Sequence, residues 1–182
     1  MFLSTIGRWL LPFLLLVAGW SVGEEVNHAA SAYRLGAGDK IQIYVFNEPD
    51  LSLEYTLSDA GTISYPFLGE IHVGGLTVGQ LEQRIIDGLK GPYLIDPTVN
   101  ITIREYRQFF IYGEVTNSGG YAYQPGLTLR QAISIAGGLG SKAQDKKILV
   151  IRDSDPARQP RLIGMDDPVF AGDTITVDKG LF

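Results

Sequence analysis

Chemistry in a protein needs reactive side chains at workable spacing, and this chain of 182 residues offers few. It has two histidines, His28 and His72, and no cysteine. The two histidines are too far apart in sequence for a local ligand pair, and the carboxylates are scattered, so no metal site is predicted. The missing thiol excludes disulfides, cysteine-ligated zinc and a cysteine nucleophile. Gly36-Ala37-Gly38 and Gly137-Gly138-Leu139-Gly140 are glycine-rich, yet neither carries a phosphate-loop lysine or the full dinucleotide spacing. Their predicted role is in turns and helix caps, and no cofactor is predicted.

Glu114, directly after Gly113, has the chemistry of a general base, as does Asp59 in its turn. No nucleophile and oxyanion site accompanies either, so no catalytic residue is assigned; a solvated strand position or an inter-subunit contact suits Glu114 better. His72 alternates with Ile71 and Val73 and is predicted to face solvent. Aromatic residues remain, with nine Tyr, eight Phe and two Trp. Their flat amphipathic faces suit either sugar stacking or core packing. Tyr106, Tyr112, Tyr121 and Tyr123 cluster in the middle of the chain, and Tyr121 and Tyr123 are the predicted sugar contacts. A net charge of −5 without a basic block disfavours nucleic acid as a partner.

The elements that must position these residues follow from pattern. Residues 1–23 read as a signal peptide: Arg8 precedes an apolar stretch too short for a comfortable membrane span, with Pro12 inside it. Leu16-Val17-Ala18-Gly19 resembles the approach to a lipoprotein cleavage site, but Trp20 stands where cysteine would be acylated. Residues 24–32 read as a flexible leader. Glycine, at 22 residues, is nearly twice its usual share of about 7 %, which favours a turn-rich fold.

Ile41, Ile43 and Val45 alternate on a half-buried strand. Short strands are predicted over 53–57, 63–67 and 69–73, with a turn at Ser58-Asp59-Ala60-Gly61. Thr77-Val78-Gly79-Gln80 forms a capping box opening an amphipathic helix to about Lys90. Val99, Ile101 and Ile103 mark a strand expected to run on through Phe109-Phe110-Ile111-Tyr112. Thr128-Leu129-Arg130-Gln131 repeats the capping box, ahead of a helix ended by Gly137-Gly138. Ile148-Leu149-Val150-Ile151 reads as a buried strand, and 161–163 and 173–177 as closing strands.

Three words recur. Gly69-Glu70-Ile71 matches Gly113-Glu114-Val115, the segment 75–81 matches 126–132, and Ala37-Gly38-Asp39 matches Ala171-Gly172-Asp173. They predict two related α+β units of about 75 residues, each with a small sheet and one helix.

With these words in place, residues 33–182 resemble the polysaccharide export proteins of Gram-negative bacteria. The first unit, 33–106, is similar to the export domain through Tyr33-Arg34-Leu35-Gly36-Ala37-Gly38-Asp39, then Asp59-Ala60-Gly61-Thr62-Ile63-Ser64-Tyr65-Pro66-Phe67-Leu68-Gly69-Glu70-Ile71, then Gly75-Leu76-Thr77. The second, 107–182, is similar to the family's SLBB-type β-grasp module through Gly113-Glu114-Val115, Gly119-Gly120-Tyr121, the segment 129–133 with Ala132, and Ala136-Gly137-Gly138. Ser118 departs from the proline frequent before that glycine.

The resemblance implies an α+β fold and a non-catalytic subunit of a ring-like homo-oligomer. Such a ring would conduct an exopolysaccharide or capsule strand through the periplasm, associated with the outer membrane. An inner-membrane polysaccharide co-polymerase and a separate outer-membrane β-barrel are the further partners implied. Gly38, Asp39, Asp59, Gly61, Pro66, Gly69, Gly113, Glu114, Gly120, Ala132, Gly137 and Gly138 are the motif positions expected to serve fold and assembly. The chain resembles a short form, without the lipoprotein cysteine or an amphipathic C-terminal membrane helix. A monomeric periplasmic glycan-binding module is the alternative, and a glycan-processing enzyme using Glu114 or Asp59 a third.

Overall fold

The computed structural model describes residues 33–179. The expected signal peptide and leader lie outside the described residues. The fold is α+β, with two hydrophobic cores side by side.

The first core is built on β1 (Lys40–Val45), flanked by β2 (Glu54–Thr56) and β5 (Val99–Glu105) in an antiparallel sheet. Ile41, Ile43 and Val45 pair with Ile103, Ile101 and Val99, so the alternation places one continuous apolar face inward. β3 (Thr62–Tyr65) and β4 (Gly69–His72) form a separate hairpin. Helix α1 (Val78–Leu89) starts at the Thr77–Gln80 capping box and buries Leu81, Ile85 and Leu89. Twelve residues are marginal as an isolated helix. Burial of those three side chains, about 1.5–3 kcal/mol each, is therefore what holds it. Its Glu82 accepts the Ile101 amide at 2.8 Å, which satisfies a donor on the outer edge of β5.

The second core is built on β6 (Phe109–Gly113), β7 (Gly119–Tyr121), β8 (Ala143–Ile151), β9 (Arg161–Leu162) and β10 (Thr174–Lys179), in the order β7-β6-β10-β8-β9. The first and last strands pair in parallel at the centre, a β-grasp-like arrangement. Helix α2 (Leu129–Ile135), capped by Thr128, covers one face with Leu129, Ala132 and Ile133. The other face presents Phe110, Tyr112, Leu149, Ile151 and Leu162 beside the threonines of β10.

Four expectations are corrected. The strand from Val99 to Tyr112 is not continuous: β5 ends at Glu105, β6 begins at Phe109, and the two belong to different sheets. The Arg107 amide is drawn onto a buried carboxylate at 2.8 Å instead of a neighbouring strand. Phe67 is not in a strand but in the turn of the β3–β4 hairpin, at φ +63°. β8 is buried on one face only, because Ile148 and Val150 point inward while Leu149 and Ile151 lie on the half-exposed side.

The recurring words mark turns rather than a duplicated unit. Gly69 opens a strand whereas Gly113 closes one, and Asp39 precedes the first strand of its sheet whereas Asp173 precedes the last of its own. What corresponds closely is local: the Ala-Gly-Asp turns, with Gly38 and Gly172 at φ +90° and +84°, and the glycine turn with its capped helix, with Gly75 and Gly126 at φ +82° and +85°.

Candidate functional site

The two cores meet at Asp39, whose side chain is fully buried. Its carboxylate accepts from the Tyr33 hydroxyl at 2.8 Å, the Gly36 amide at 2.8 Å, the Arg107 amide at 2.8 Å and Arg107 Nη1 at 3.0 Å. A buried carboxylate needs this degree of pairing to offset its desolvation. Arg107 Nη2 reaches Asp153 of the second core at 3.2 Å, so one guanidinium joins carboxylates from both. Nearby, the Asp173 carboxylate accepts the Phe170 amide and is ion-paired with Arg152. Two ion-paired groups thus lie at the junction, Asp39–Arg107–Asp153 and Asp173–Arg152.

Aromatic rings close over these charges. Tyr106 meets Tyr33 edge-on at 4.9 Å and Tyr123 edge-on at 5.5 Å, while the Arg107 guanidinium lies 5.5 Å from the Tyr33 ring centre. Beside them opens a cavity of about 610 Å³, whose walls include Arg34, Phe170 and these three tyrosines. A smaller hollow of about 490 Å³ lies along α2 between Pro125, Arg130 and Ile135.

Burial, the Asp39 carboxylate and its hydrogen bond push the Tyr33 hydroxyl far above the ordinary phenol range, against the pull of Arg107. Tyr33 is therefore a neutral donor at any working pH. Burial also raises Tyr106 and Tyr123. It raises the Asp173 carboxyl as well, outweighing the Phe170 amide and Arg152, which pull the other way. Asp39, saturated by four donors, has no free acceptor to offer a reacting proton. Among the described residues no cluster of three or more histidines and carboxylates stands close enough to hold a metal ion. The arrangement suits holding the two cores together through one guanidinium, with an aromatic-walled cavity beside it.

Residues 27–104 match the family model described as polysaccharide biosynthesis/export protein, and residues 108–161 match the SLBB domain. This chain belongs to the polysaccharide export protein family. Members similar to it include an exopolysaccharide production protein, ExoF, of Rhizobium meliloti, 32 % identical over 140 residues, which are 69 % of this chain and 33 % of that protein. Another is the EPS I polysaccharide export outer membrane protein EpsA of Ralstonia nicotianae, 28 % identical over 142 residues, 64 % of this chain and 37 % of that one. The chain thus spans about a third of the length of these curated relatives.

The positions that carried the family resemblance are structural in different ways. Gly38 turns the chain into β1 at φ +90°, placing Asp39. Asp59 is exposed and accepts the Ala60 amide, while the Gly61 carbonyl takes the amides of Val73 and Gly74. Pro66 and Gly69 flank the hairpin turn. Gly113 cannot carry a side chain, because a Cβ there would sit 2.2 Å from the Val177 carbonyl oxygen of β10. A Cβ on Gly120 would strike the Phe110 ring. Ala132 is fully buried, and Gly137 and Gly138, both at positive φ, end α2. Glu114 is half-exposed, and its carbonyl accepts the Gly140 amide.

Of the two predicted sugar contacts, Tyr123 lines the junction cavity. Tyr121 packs its ring against Phe109 and donates its hydroxyl to the Asn117 carbonyl. Tyr112, grouped with them by sequence, stacks on Phe110 on the outer sheet face. Arg107, central to the junction, carried no sequence signal, since it lies 68 residues from its carboxylate partner, whereas Tyr33 opened the word that carried the family resemblance. The Ala-Gly-Asp repeat was the sign that pointed to Asp39 and Asp173.

Proposed function

We propose that the chain is a non-catalytic subunit of a conduit that moves an exopolysaccharide or capsular polymer through the cell envelope. In this reading residues 33–106 are the export domain and 107–182 the SLBB-type module. The protein works in the periplasm, outer-membrane associated, as a ring-like homo-oligomer. An inner-membrane polysaccharide co-polymerase and a separate outer-membrane β-barrel complete the path.

The observation that carries the proposal is the order of an export-type core and an SLBB-type core joined through Arg107. Such a joint suits a load-bearing wall better than a mobile enzyme. The outer face of the five-stranded sheet supports self-assembly, with Leu162 69 % and Tyr112 46 % exposed. Deleting the gene should abolish or sharply reduce surface polysaccharide, and light scattering on the purified protein should give a multimer. Normal surface polysaccharide in the deletion strain, or a strict monomer with no envelope association, overturns the proposal.

The tyrosine-walled junction cavity favours a second reading, a monomeric periplasmic glycan-binding module. Saturable oligosaccharide binding at that cavity without assembly would select it.

A further inference from the structure

The turn of the β3–β4 hairpin holds a combination that packing alone does not require. The Leu68 amide is shared between the Pro66 carbonyl at 2.8 Å and the Tyr65 carbonyl at 3.2 Å, with Phe67 at φ +63° in the turn they close. That positive φ is a left-handed conformation that favours glycine and that bulky side chains rarely adopt. Yet Phe67 places its ring in solvent, 64 % exposed. Neither backbone ease nor burial accounts for a phenylalanine here.

The ring is nonetheless held. Tyr93 stacks on it with centres 4.7 Å apart and planes 25° from parallel, and the Tyr93 hydroxyl points back to the Phe67 carbonyl at 3.4 Å. On the next residue, Leu68 sits so close to Gly88 of α1 that a Cβ there would lie 2.8 Å from the leucine methyl. The tip is thus seated on the helix while its aromatic rings stay open. Away from the tip, the solvent side of the hairpin is polar: Ser64 pairs across with Glu70, and Thr62 with His72.

We propose that Phe67 and Tyr93 form a preorganised stacking platform for pyranose rings of a passing polysaccharide. A sugar ring has an apolar C–H face and a rim of hydroxyls, which matches exposed aromatic faces continued by hydroxyl, carboxylate and imidazole groups. Glu70 beside the tip would repel an anionic lipid surface, and a tight protein contact would have to bury it unpaired. Fixing the rings in advance lowers the ordering entropy of each brief contact. Because each contact is shallow, it is released easily, as a polymer in transit demands. This inference rests on the export reading and assigns it a contact surface apart from the junction.

The test uses the full chain and short oligosaccharides cut by partial hydrolysis from the exopolysaccharide of a strain that carries the gene. Titration followed by NMR should shift the ring protons of Phe67 and Tyr93. Phe67→Leu should weaken binding about tenfold, whereas Phe67→Trp should bind at least as tightly. Both variants should keep the wild-type melting temperature, and Phe67→Gly should melt no lower while losing binding. Shifts confined to Tyr106 and Tyr123, equal affinity for Phe67→Leu, or loss of self-association in place of sugar binding each overturn the platform. In cells, secretion that persists without the gene defeats the export reading. Secretion that needs the gene but proceeds at the wild-type rate with Phe67→Leu defeats only the platform.

Discussion

Asp39 and Asp173 sit in the same turn. Each follows a glycine at positive φ, +90° and +84°, and each carboxylate accepts the amide of the residue three positions earlier at 2.8 Å. Each pairs with one arginine, and both are buried. Their settings diverge beyond the turn. The partner of Asp39 comes from 68 residues away and continues to Asp153, while the partner of Asp173 lies 21 residues away within the same core. Asp39 also takes the Tyr33 hydroxyl, whereas Asp173 is poorly enough solvated that its proton affinity rises. One local device therefore serves two ends: Asp39 ties two cores together, and Asp173 finishes a turn within one.

The largest effect should come from breaking the first of these. Arg107→Ala leaves a fully buried carboxylate without its counter-ion, and about 3–5 kcal/mol of stability should be lost in urea unfolding. The same variant should split a single thermal transition into two as the cores separate, an outcome not expected for Arg152→Ala. Gly113→Ala should follow, at about 3 kcal/mol, since a side chain there strikes the Val177 carbonyl and holds an unfavourable φ of +92°.

Asp173→Asn should be milder, at about 1.5–2 kcal/mol at neutral pH, since it gives up the charge-assisted bond to Arg152. Its pH dependence sharpens the comparison. A carboxyl raised in the folded state favours folding at low pH, and that contribution is lost as pH climbs from the ordinary value of 3.8 through the raised one. Stability curves against pH should show this fall in the parent protein and not in the asparagine variant. Smallest are the helix caps. Thr77→Ala and Thr128→Ala should each cost about 1 kcal/mol in thermal melts, with the seven-residue α2 fraying more than the twelve-residue α1.

Features written within a few residues were legible from sequence. Both capping boxes, the alternation of β1 and β5, and the glycine turns depend on neighbours in the chain, and the structure forms them as the pattern implies. The break between β5 and β6 was not legible. Nothing in Tyr106-Arg107-Gln108 marks a turn, and the force that interrupts the strand comes from Asp39. The site shows the same division. The Ala-Gly-Asp word pointed to the two acids, but their arginine partners are set by the packing of remote elements. Phe67 was read as the end of a strand because an aromatic residue after Ile63 and Tyr65 suits one, and positive φ leaves no trace in residue type when the residue is not glycine.

The Arg107 joint has a mechanical consequence. Residues 106–108 are short enough to act as a hinge, yet the guanidinium clasps an acid on either side of them at 3.0 and 3.2 Å. A sideways push on the hairpin tip is then carried into the five-stranded sheet as rotation of the whole body, rather than spent in bending at the connection.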